Sequence, residues 1–417
     1  MDRFGTLPEG TTYCDLTQSW SSRGGGVGTY IRRKRRHILD HSAHRHLMII
    51  PGDADRTIVE EGGRAITVTI ASPNVPRNPY YRLLLRNGAV RAALEEHRPD
   101  LIECQDAYNL PWAAVAHRRR HPATALVAAY CTDFPTVYVR PVVARMLGAP
   151  LGSLASRICY AYAGSLYRRF DAVFAMSENG GASRLRELGV DEVSVVPLGA
   201  ELGEFSPEKR CPKLRESLGV ADDEPVIIYA GRFDSEKRPD IVADAFLQLP
   251  AEMRATLILL GEGPTRPEVQ AKLAGARAFL PGFVRDRSEL ARWLASADVY
   301  ASAMAHETFG ISIIEAQASG LPVVGVAGGA MLDRVTEKTG RVGPVGDAAQ
   351  MALNIADVWN GERRAMAEAS WHHAQQFSWQ QSMDGLFGSL YPRALRRGAE
   401  RAALGASRSA GLAQALR

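Results

Sequence analysis

Short runs rich in Val, Ile and Leu recur along the chain, each closed by Gly, Pro or Asp and followed by a longer amphipathic stretch. Brief apolar runs read as strands covered on both faces, and the longer periodic stretches read as helices. The alternation therefore predicts βα units around parallel sheets. In the first half the spacing predicts strands at Thr12–Leu16, His46–Ile50, Ala65–Ile70, Asp100–Cys104, Thr124–Tyr130, Ala172–Met176 and Ser194–Val196, with helices at Leu84–His97 and Ala182–Leu188 among those between them. In the second half it predicts strands at Val226–Tyr229, Thr256–Leu260, Ala278–Leu280, Val299–Ala301 and Pro322–Val326. The pattern is thus played twice. Between the halves, Pro197-Leu198-Gly199 through Phe205-Ser206-Pro207 lacks periodicity and is dense in Gly and Pro, which marks a domain junction. Phe377–Leu395 reads as an amphipathic helix able to cross back to the first domain. The last residues, rich in Ala, Gly, Ser and Arg, read as a mobile tail or a weak surface helix.

The expected division is therefore 1–198, 199–376, a returning helix 377–395 and a basic tail 396–417. A chain of 417 residues suits two domains of roughly 200 residues each. With 46% hydrophobic and 23% charged residues, disordered, collagenous and low-complexity classes are excluded. The net charge of +4 hides a polarity. Residues 1–200 hold 25 basic and 19 acidic groups, 201–390 hold 19 and 26, and 391–417 hold 6 and 1. Five scattered Cys without a C-x-x-C pair support neither a disulfide framework nor a zinc site. The N-terminus lacks the apolar core of a signal peptide and no run is long enough to span a bilayer, so the expectation is a cytoplasmic protein whose membrane contact is peripheral.

Two open α/β domains place ligands outside the carboxyl ends of their strands, so chemistry is sought where strands stop. Arg23-Gly24-Gly25-Gly26-Val27-Gly28-Thr29-Tyr30 follows the first strand and opens a helix, a pattern that lets backbone and free N–H groups approach a phosphate, or that simply makes a glycine turn. No Gly-Lys-Ser/Thr follows, so it is not a P-loop. Gly231-Arg232-Phe233-Asp234-Ser235-Glu236-Lys237 comes directly after a buried strand. Arg232 can grip a diphosphate bidentately and Lys237 as a point charge, although solvated charged loops have the same composition. The most specific segment is His306-Glu307-Thr308-Phe309-Gly310-Ile311-Ser312-Ile313-Ile314-Glu315, continuing to Gly320-Leu321-Pro322. With a helix starting near Gly310, both carboxylates can face one ligand while the first N–H groups meet a phosphate or sugar hydroxyls.

Taken together and in this order, these motifs resemble the retaining glycosyltransferases of family 4, the group 1 transferases of GT-B fold, over about residues 12 to 390. The resemblance implies two Rossmann-like doubly wound domains facing each other across a cleft, the second holding a nucleotide diphosphate sugar. It implies that Arg232 and Lys237 bind the diphosphate and support the departing phosphate, and that Glu307 addresses the donor sugar and Glu315 the ribose. Backbone N–H groups of Phe309, Gly310 and Ile311 complete the cradle, and the Gly25–Gly26 loop closes on the diphosphate. No cofactor and no metal is implied. Where relatives carry His-Ser-Asp-Phe-Pro, this chain has Cys131-Thr132-Asp133-Phe134-Pro135, which leaves Cys131 and Asp133 as candidates on the sugar or acceptor side. A thiol is a poor donor beside an imidazole.

Two further features bear on partners. Arg32-Arg33-Lys34-Arg35-Arg36 reads as a solvated helix face and also as a surface for anionic lipid. Tyr138–Tyr167, with Arg140, Arg145 and Arg157, reads most simply as a buried helix pair, with an interfacial or acceptor-side element as the alternative. No nucleic-acid reader motif is present. The expected activity is transfer of a hexose, mannose from GDP-mannose before UDP-glucose or a UDP-uronic acid, to a lipid or lipid-linked glycan at the inner face of the membrane. A nucleotide-sugar epimerase and a non-catalytic sugar-nucleotide-binding protein are the alternatives of other classes.

Overall fold

A computed structural model describes residues 10–21, 25–75 and 78–415, without the side chains of 78–79 and 408–415. The chain divides into two compact units, Met1–Met176 with Gly181–Val196 and Ser382–Arg417, and Ser177–Gly180 with Pro197–Gln381.

In the first unit the strands are β1 (Thr12–Leu16), β2 (Arg45–Gly52), β3 (Arg56–Glu60), β4 (Ala65–Ala71), the short hairpin β5 (Asn74–Val75) and β6 (Asn78–Arg82), then β7 (Leu101–Cys104), β8 (Ala125–Tyr130), β9 (Ala172–Ala175) and β10 (Val193–Val195). Eight of them form one sheet in the order β10-β9-β8-β7-β1-β2-β4-β3. All neighbours are parallel except β3 on β4. Helices cover both faces, so strands such as β8 are apolar along their whole length, as in Leu126–Tyr130, while β1 and β7 at the centre each carry one buried carboxylate, Asp15 and Glu103. Hydrophobic patterning passes over β3 because every one of its residues is exposed at the sheet edge.

The second unit contains β11 (Val226–Ala230), β12 (Thr256–Leu260), β13 (Ala278–Gly282), β14 (Val299–Ala301), β15 (Val323–Val326) and β16 (Gly340–Gly343). They make a parallel sheet in the order β13-β12-β11-β14-β15-β16 around a core that includes Ile227, Leu257, Val299 and Val324. The long segment Pro197–Gln381 of the second unit has its two ends paired with each other. Ala200 donates its N–H to Phe377 O at 2.8 Å, and Gly199 lies so close to Trp379 that a Cβ would sit 2.4 Å from its backbone.

The stretch expected as one helix over Phe377–Leu395 is instead Trp379–Gly385, a wider-turned segment Leu386–Leu390 and a long helix Tyr391–Ala415. Of the two readings of the last residues, a mobile tail or a weak surface helix, the structure has the helix, and its described side chains are tied to the first unit. Arg397 reaches Glu192 at 2.6 Å, and Arg401 donates to Pro122 O and Thr124 O at 2.9 Å and pairs with Asp171. Gly398 packs against Ala123 O, where a Cβ would stand 2.3 Å away.

The run Arg32–Arg36 is corrected as well. Lys34 is fully buried, 2.6 Å from Asp15 and 3.0 Å from Glu103, and Arg35 turns inward to His46, Thr67 Oγ1 and Ile66 O. Only Arg32, Arg33 and Arg36 remain exposed, because a helix packed on a sheet alternates its faces every three to four residues. Tyr391 OH also donates to Glu103 at 2.5 Å, which ties the last helix into this buried network. His46 Nε2 lies 2.7 Å from Asp15. Burial outweighs that carboxylate, and the imidazole is pushed down to about 4. The folded chain thus takes up this proton near pH 4 and the unfolded chain near 6.5, so stability is present above the window and lost as pH falls through it. Denaturant unfolding of this unit is expected to weaken by about 2 kcal/mol between pH 7 and pH 5 from His46, with a flatter slope in His46→Gln. The same slope in both proteins contradicts the assignment.

Candidate active site

The second sheet changes direction between β11 and β14. The chain runs outward through β11, β12 and β13 and then returns to place β14 on the other side of β11. The loops leaving these two neighbours diverge at their carboxyl ends, and that switch point is where an open α/β sheet offers a crevice. The loop after β11 carries Arg232 and Lys237, and the loop after β14 carries Glu307. Residues 70 apart in sequence become neighbours here. Lys237 Nζ lies 2.8 Å from Glu307 Oε2, with both side chains largely buried.

Glu307 is held on all sides. Burial opposes its charge, but Lys237 and the backbone N–H groups of Gly310 and Phe309 outweigh it and hold the carboxyl below the usual range. Gly310 makes that geometry possible with φ of 84°, the left-handed conformation that lets the loop turn its N–H groups back on Glu307 before the helix Ile311–Ala318 begins. From the other side Ala330 donates its N–H to Glu307 O at 2.7 Å. Arg334 is buried beneath, its Nε 3.0 Å from Phe309 O and its guanidinium 4.8 Å from the Phe309 ring centre and 4.4 Å from that of Phe377. Burial draws the Arg334 guanidinium down to about 10, and it still carries its charge at neutral pH.

The loop of Arg232 is fixed by its neighbours. Tyr229 OH donates to Arg232 O at 2.7 Å, and Phe233 N donates to Glu262 O at 2.9 Å. The glycines of Gly261-Glu262-Gly263 are required by this approach, since a Cβ on Gly261 would lie 1.8 Å from Gly231 O. Arg232 itself is exposed and paired with Asp234 and Glu236, each at 3.1 Å. Burial raises the Glu236 carboxyl. Both cations are thus matched by carboxylates, and an entering dianion competes with the half-buried Asp234 and Glu236 for the exposed Arg232.

Glu315 lies within Ile311–Ala318, buried and paired with Arg287 at 2.5 Å. Burial raises its pKa despite that partner. Arg287 also sits 4.7 Å from the Phe205 ring centre. The structure thus brings Arg232, Lys237, Glu307, Phe309, Gly310, Ile311 and Glu315 to the carboxyl end of one sheet. Sequence reasoning missed Arg287 and Arg334, which carry no motif of their own. Each meets its partner far along the chain, Arg287 across 28 residues and Arg334 across 25, so no local pattern signals it.

In the first unit Arg23 and Gly24 lie outside the described residues. Gly25 and Gly26 are exposed at the start of the helix Gly26–His41, with Gly25 at φ of 130°. The loop leading toward them is tied by Asp106, beyond β7, to Gln18 N at 2.5 Å and Thr17 Oγ1 at 2.9 Å. Sequence reasoning passed over Asp106. β1 and β7 are the switch point of this sheet, as β11 and β14 are of the other. Cys131 and Asp133 follow β8. Cys131 is half-buried, and Asp133 accepts from Tyr160 OH at 2.6 Å, which binds Thr136 Oγ1 as well. Asp133 thereby anchors the helix Ala149–Tyr167 to its own turn.

The expectation of a metal-free site passed over Asp53-Ala54-Asp55, an Asp-x-Asp sequence. It lies between β2 and β3, where Asp55 pairs with Arg86 at 2.7 Å and accepts from Ala71 N at 2.7 Å. Among the described residues one trio has metal-like proximity, Glu95, His117 and His121, with ligand atoms within 4.8 Å of one another. It belongs to the helices Asn87–His97 and Leu110–Arg120 and their end, with His121 Nε2 already 2.8 Å from Glu95.

A doubly wound sheet in each unit, with cations and carboxylates at the second switch point, defines a GT-B glycosyltransferase. The chain belongs to the group 1 glycosyltransferases of family 4, since residues 224–360 match the glycosyl transferases group 1 and residues 25–199 the glycosyl transferase 4-like domain. It is a hexosyltransferase. A GDP-mannose-dependent alpha-(1-6)-phosphatidylinositol dimannoside mannosyltransferase of Mycobacterium tuberculosis is 26% identical over 374 residues, 89% of this chain and 93% of the relative. A D-inositol 3-phosphate glycosyltransferase of Mycolicibacterium smegmatis is 32% identical over 215 residues, 49% of this chain and 48% of the relative. Among solved structures, a sucrose-phosphate synthase from Thermosynechococcus elongatus has a TM-score of 0.69 at 20% identity, covering 95% of this chain and 100% of that one. Anabaena HepE in complex with UDP also scores 0.69, at 18% identity, covering 92% and 100%. At these identities the likeness is one of fold.

Arg334→Leu removes a buried charged donor to Phe309 O, and thermal unfolding is expected to register a loss of about 1.5–3 kcal/mol. A variant as stable as the parent contradicts the bracing role.

Proposed function

We propose that the chain transfers mannose from GDP-mannose, with retention of configuration, to a lipid or lipid-linked glycan acceptor. The observation that carries this reading is the Lys237–Glu307 contact of 2.8 Å at the switch point, with Glu307 held ionised by Lys237 and the N–H groups of Phe309 and Gly310. The M. tuberculosis mannosyltransferase, similar over 89% of the chain, supports the donor and the lipid character of the acceptor.

In this reading the donor diphosphate lies against Lys237 and Arg232, and Asp234 and Glu236 give up Arg232 to the phosphate oxygens. Glu307 accepts hydrogen bonds from the sugar hydroxyls, and Glu315 with Arg287 addresses the ribose. As the bond from the anomeric carbon to the phosphate oxygen breaks, negative charge grows on the leaving diphosphate, where fixed cations stabilise it without reorganisation. The acceptor oxygen forms the new bond, and its proton passes to the departing phosphate. In the first unit Gly25 and Gly26, at the start of their helix, offer backbone N–H groups suited to a phosphate, and Cys131 and Asp133 are assigned to the sugar or acceptor side, Asp133 by positioning. The protein supplies the charge stabilisation itself, so no metal is required. No helix among the described residues is long and apolar enough to cross a membrane, and membrane contact is peripheral in this reading.

The test is release of nucleotide diphosphate from a donor panel of GDP-mannose, UDP-glucose and UDP-glucuronic acid, with a phosphoinositide acceptor in detergent and with EDTA present. Turnover with GDP-mannose, unchanged by EDTA, is the expected result. Lys237→Met is expected to lower kcat by roughly 10²–10³-fold and, because it leaves the largely buried Glu307 without its cation, also to lower the melting temperature, with the protein still folded at the assay temperature. Turnover confined to UDP donors overturns the donor assignment, and full activity in Lys237→Met overturns the site.

A further inference from the structure

Tyr138–Tyr167 does not form the buried helix pair that its composition suggests. The helix Arg140–Leu147 has no buried residue, and the helix Ala149–Tyr167 buries chiefly small residues in its first half, Gly152 and Ser156. Gly152 explains how the two helices meet. A Cβ there would lie 2.7 Å from Ala144 Cβ and 2.8 Å from Arg140 O, so the backbones pack closely and the large side chains are left outside.

What is left outside is apolar. Val142, Met146, Leu147, Leu151, Leu154 and Ile158 are between 46% and 74% exposed. Val142 and Met146 are four residues apart on one helix, and Leu151, Leu154 and Ile158 follow at helical spacing on the next, so each helix presents a continuous stripe. The tip between them, at Gly148, is exposed throughout from Arg145 to Leu151. Contiguous apolar surface of this kind marks an interaction site.

The charge of the segment selects the partner. Residues 134–170 contain five Arg and no Asp or Glu. Arg168 and Arg169, also exposed, are engaged by the protein, Arg168 with Leu188 O at 2.6 Å and Arg169 over the Trp112 ring at 5.3 Å. Arg140, Arg145 and Arg157 are exposed, and none of them forms an ion pair among the described residues. A second copy docked face to face would bring these arginines together unmatched. A bilayer with anionic headgroups offers both an apolar phase for the stripes and counter-charge for the arginines.

We propose that the hairpin of Arg140–Leu147 and Ala149–Tyr167 docks the enzyme on an anionic lipid surface, its tip and apolar stripes entering the acyl boundary and Arg140, Arg145 and Arg157 meeting the headgroups. This deepens the lipid-acceptor reading and rests on it for its purpose, since a transferase acting on a lipid must be held at the surface where that lipid lies.

The test is co-sedimentation of the full chain with vesicles of phosphatidylcholine alone and of phosphatidylcholine containing about one third phosphatidylglycerol. Two exposed-surface variants are compared, Leu147→Ser with Leu151→Ser, and Arg140→Gln with Arg145→Gln and Arg157→Gln. Wild type is expected to prefer the anionic vesicles. The arginine variant is expected to lose about fivefold in affinity per charge on anionic vesicles, and the leucine variant at least tenfold on the same vesicles. GDP affinity, measured on each, stays at the wild-type value and shows that the fold is intact. Vesicle binding as strong in both variants as in wild type overturns the proposal. So does a dimer in sedimentation equilibrium that the leucine variant dissociates, because the face then belongs to a second copy. Vesicle binding is read without any donor or acceptor, so lipid docking lost only in the variants supports this surface even where the donor panel fails.

Discussion

A carboxylate taken out of water must be given donors, and Glu307 receives them from three directions: Lys237 from the loop after β11, and the N–H groups of Phe309 and Gly310 from its own loop. Much of the second unit's local structure follows from that requirement. Gly310 adopts a left-handed φ so that its loop can fold back, Gly329 leaves room for Ala330 to bond the Glu307 carbonyl, and Arg334 braces the Phe309 carbonyl from below. The parallel order of β11 and β14 is what brings the two loops together. The charge balance also differs between the cations. Lys237 is fixed by a buried partner, whereas Arg232 is exposed and shared by two carboxylates, which leaves it the more easily exchanged.

The first unit solves a related problem on the two strands of its own switch point. Asp15 and Glu103 stand on neighbouring central strands and are satisfied by Lys34, His46, Tyr30, Gln105 and Tyr391. A network of this kind is costly to break because each member leaves another buried group unpaired. It also closes the chain on itself, since Tyr391 comes from the last helix and its partners Lys34 and Glu103 from the first helix and from β7. Arg397 and Arg401 continue that attachment at the entry to β8 and β9.

The strands of both sheets were legible because buried parallel strands are predominantly apolar, and the observed bounds differ from the expected ones by a residue or two, as in Arg45–Gly52 against His46–Ile50. Strands with little to bury were not legible: β3 is exposed throughout, and β16 is Gly-Arg-Val-Gly. At the site, the Glu-x7-Glu spacing pointed to the helix start and the Arg232–Lys237 segment to a strand end. Their contact depends on strand order, which no local pattern encodes. Arg287 meets Glu315 across 28 residues and was invisible for the same reason. Composition misled at Lys34, where one cation of a basic run is the buried one. It misled again at Val142–Ile158, where apolar residues face outward because Gly152 and Ala144 let two helices meet backbone to backbone.

The central claim is that Lys237 and Glu307 act as one unit on the donor. A double-mutant cycle on kcat/KM, with Lys237→Met, Glu307→Gln and the combined variant, measures that coupling directly. If each partner works through the other, each single substitution loses most of the activity and the combined variant falls no more than about tenfold below the weaker single variant. Losses that multiply across the cycle would contradict the claim, because the two side chains would then act on the donor independently.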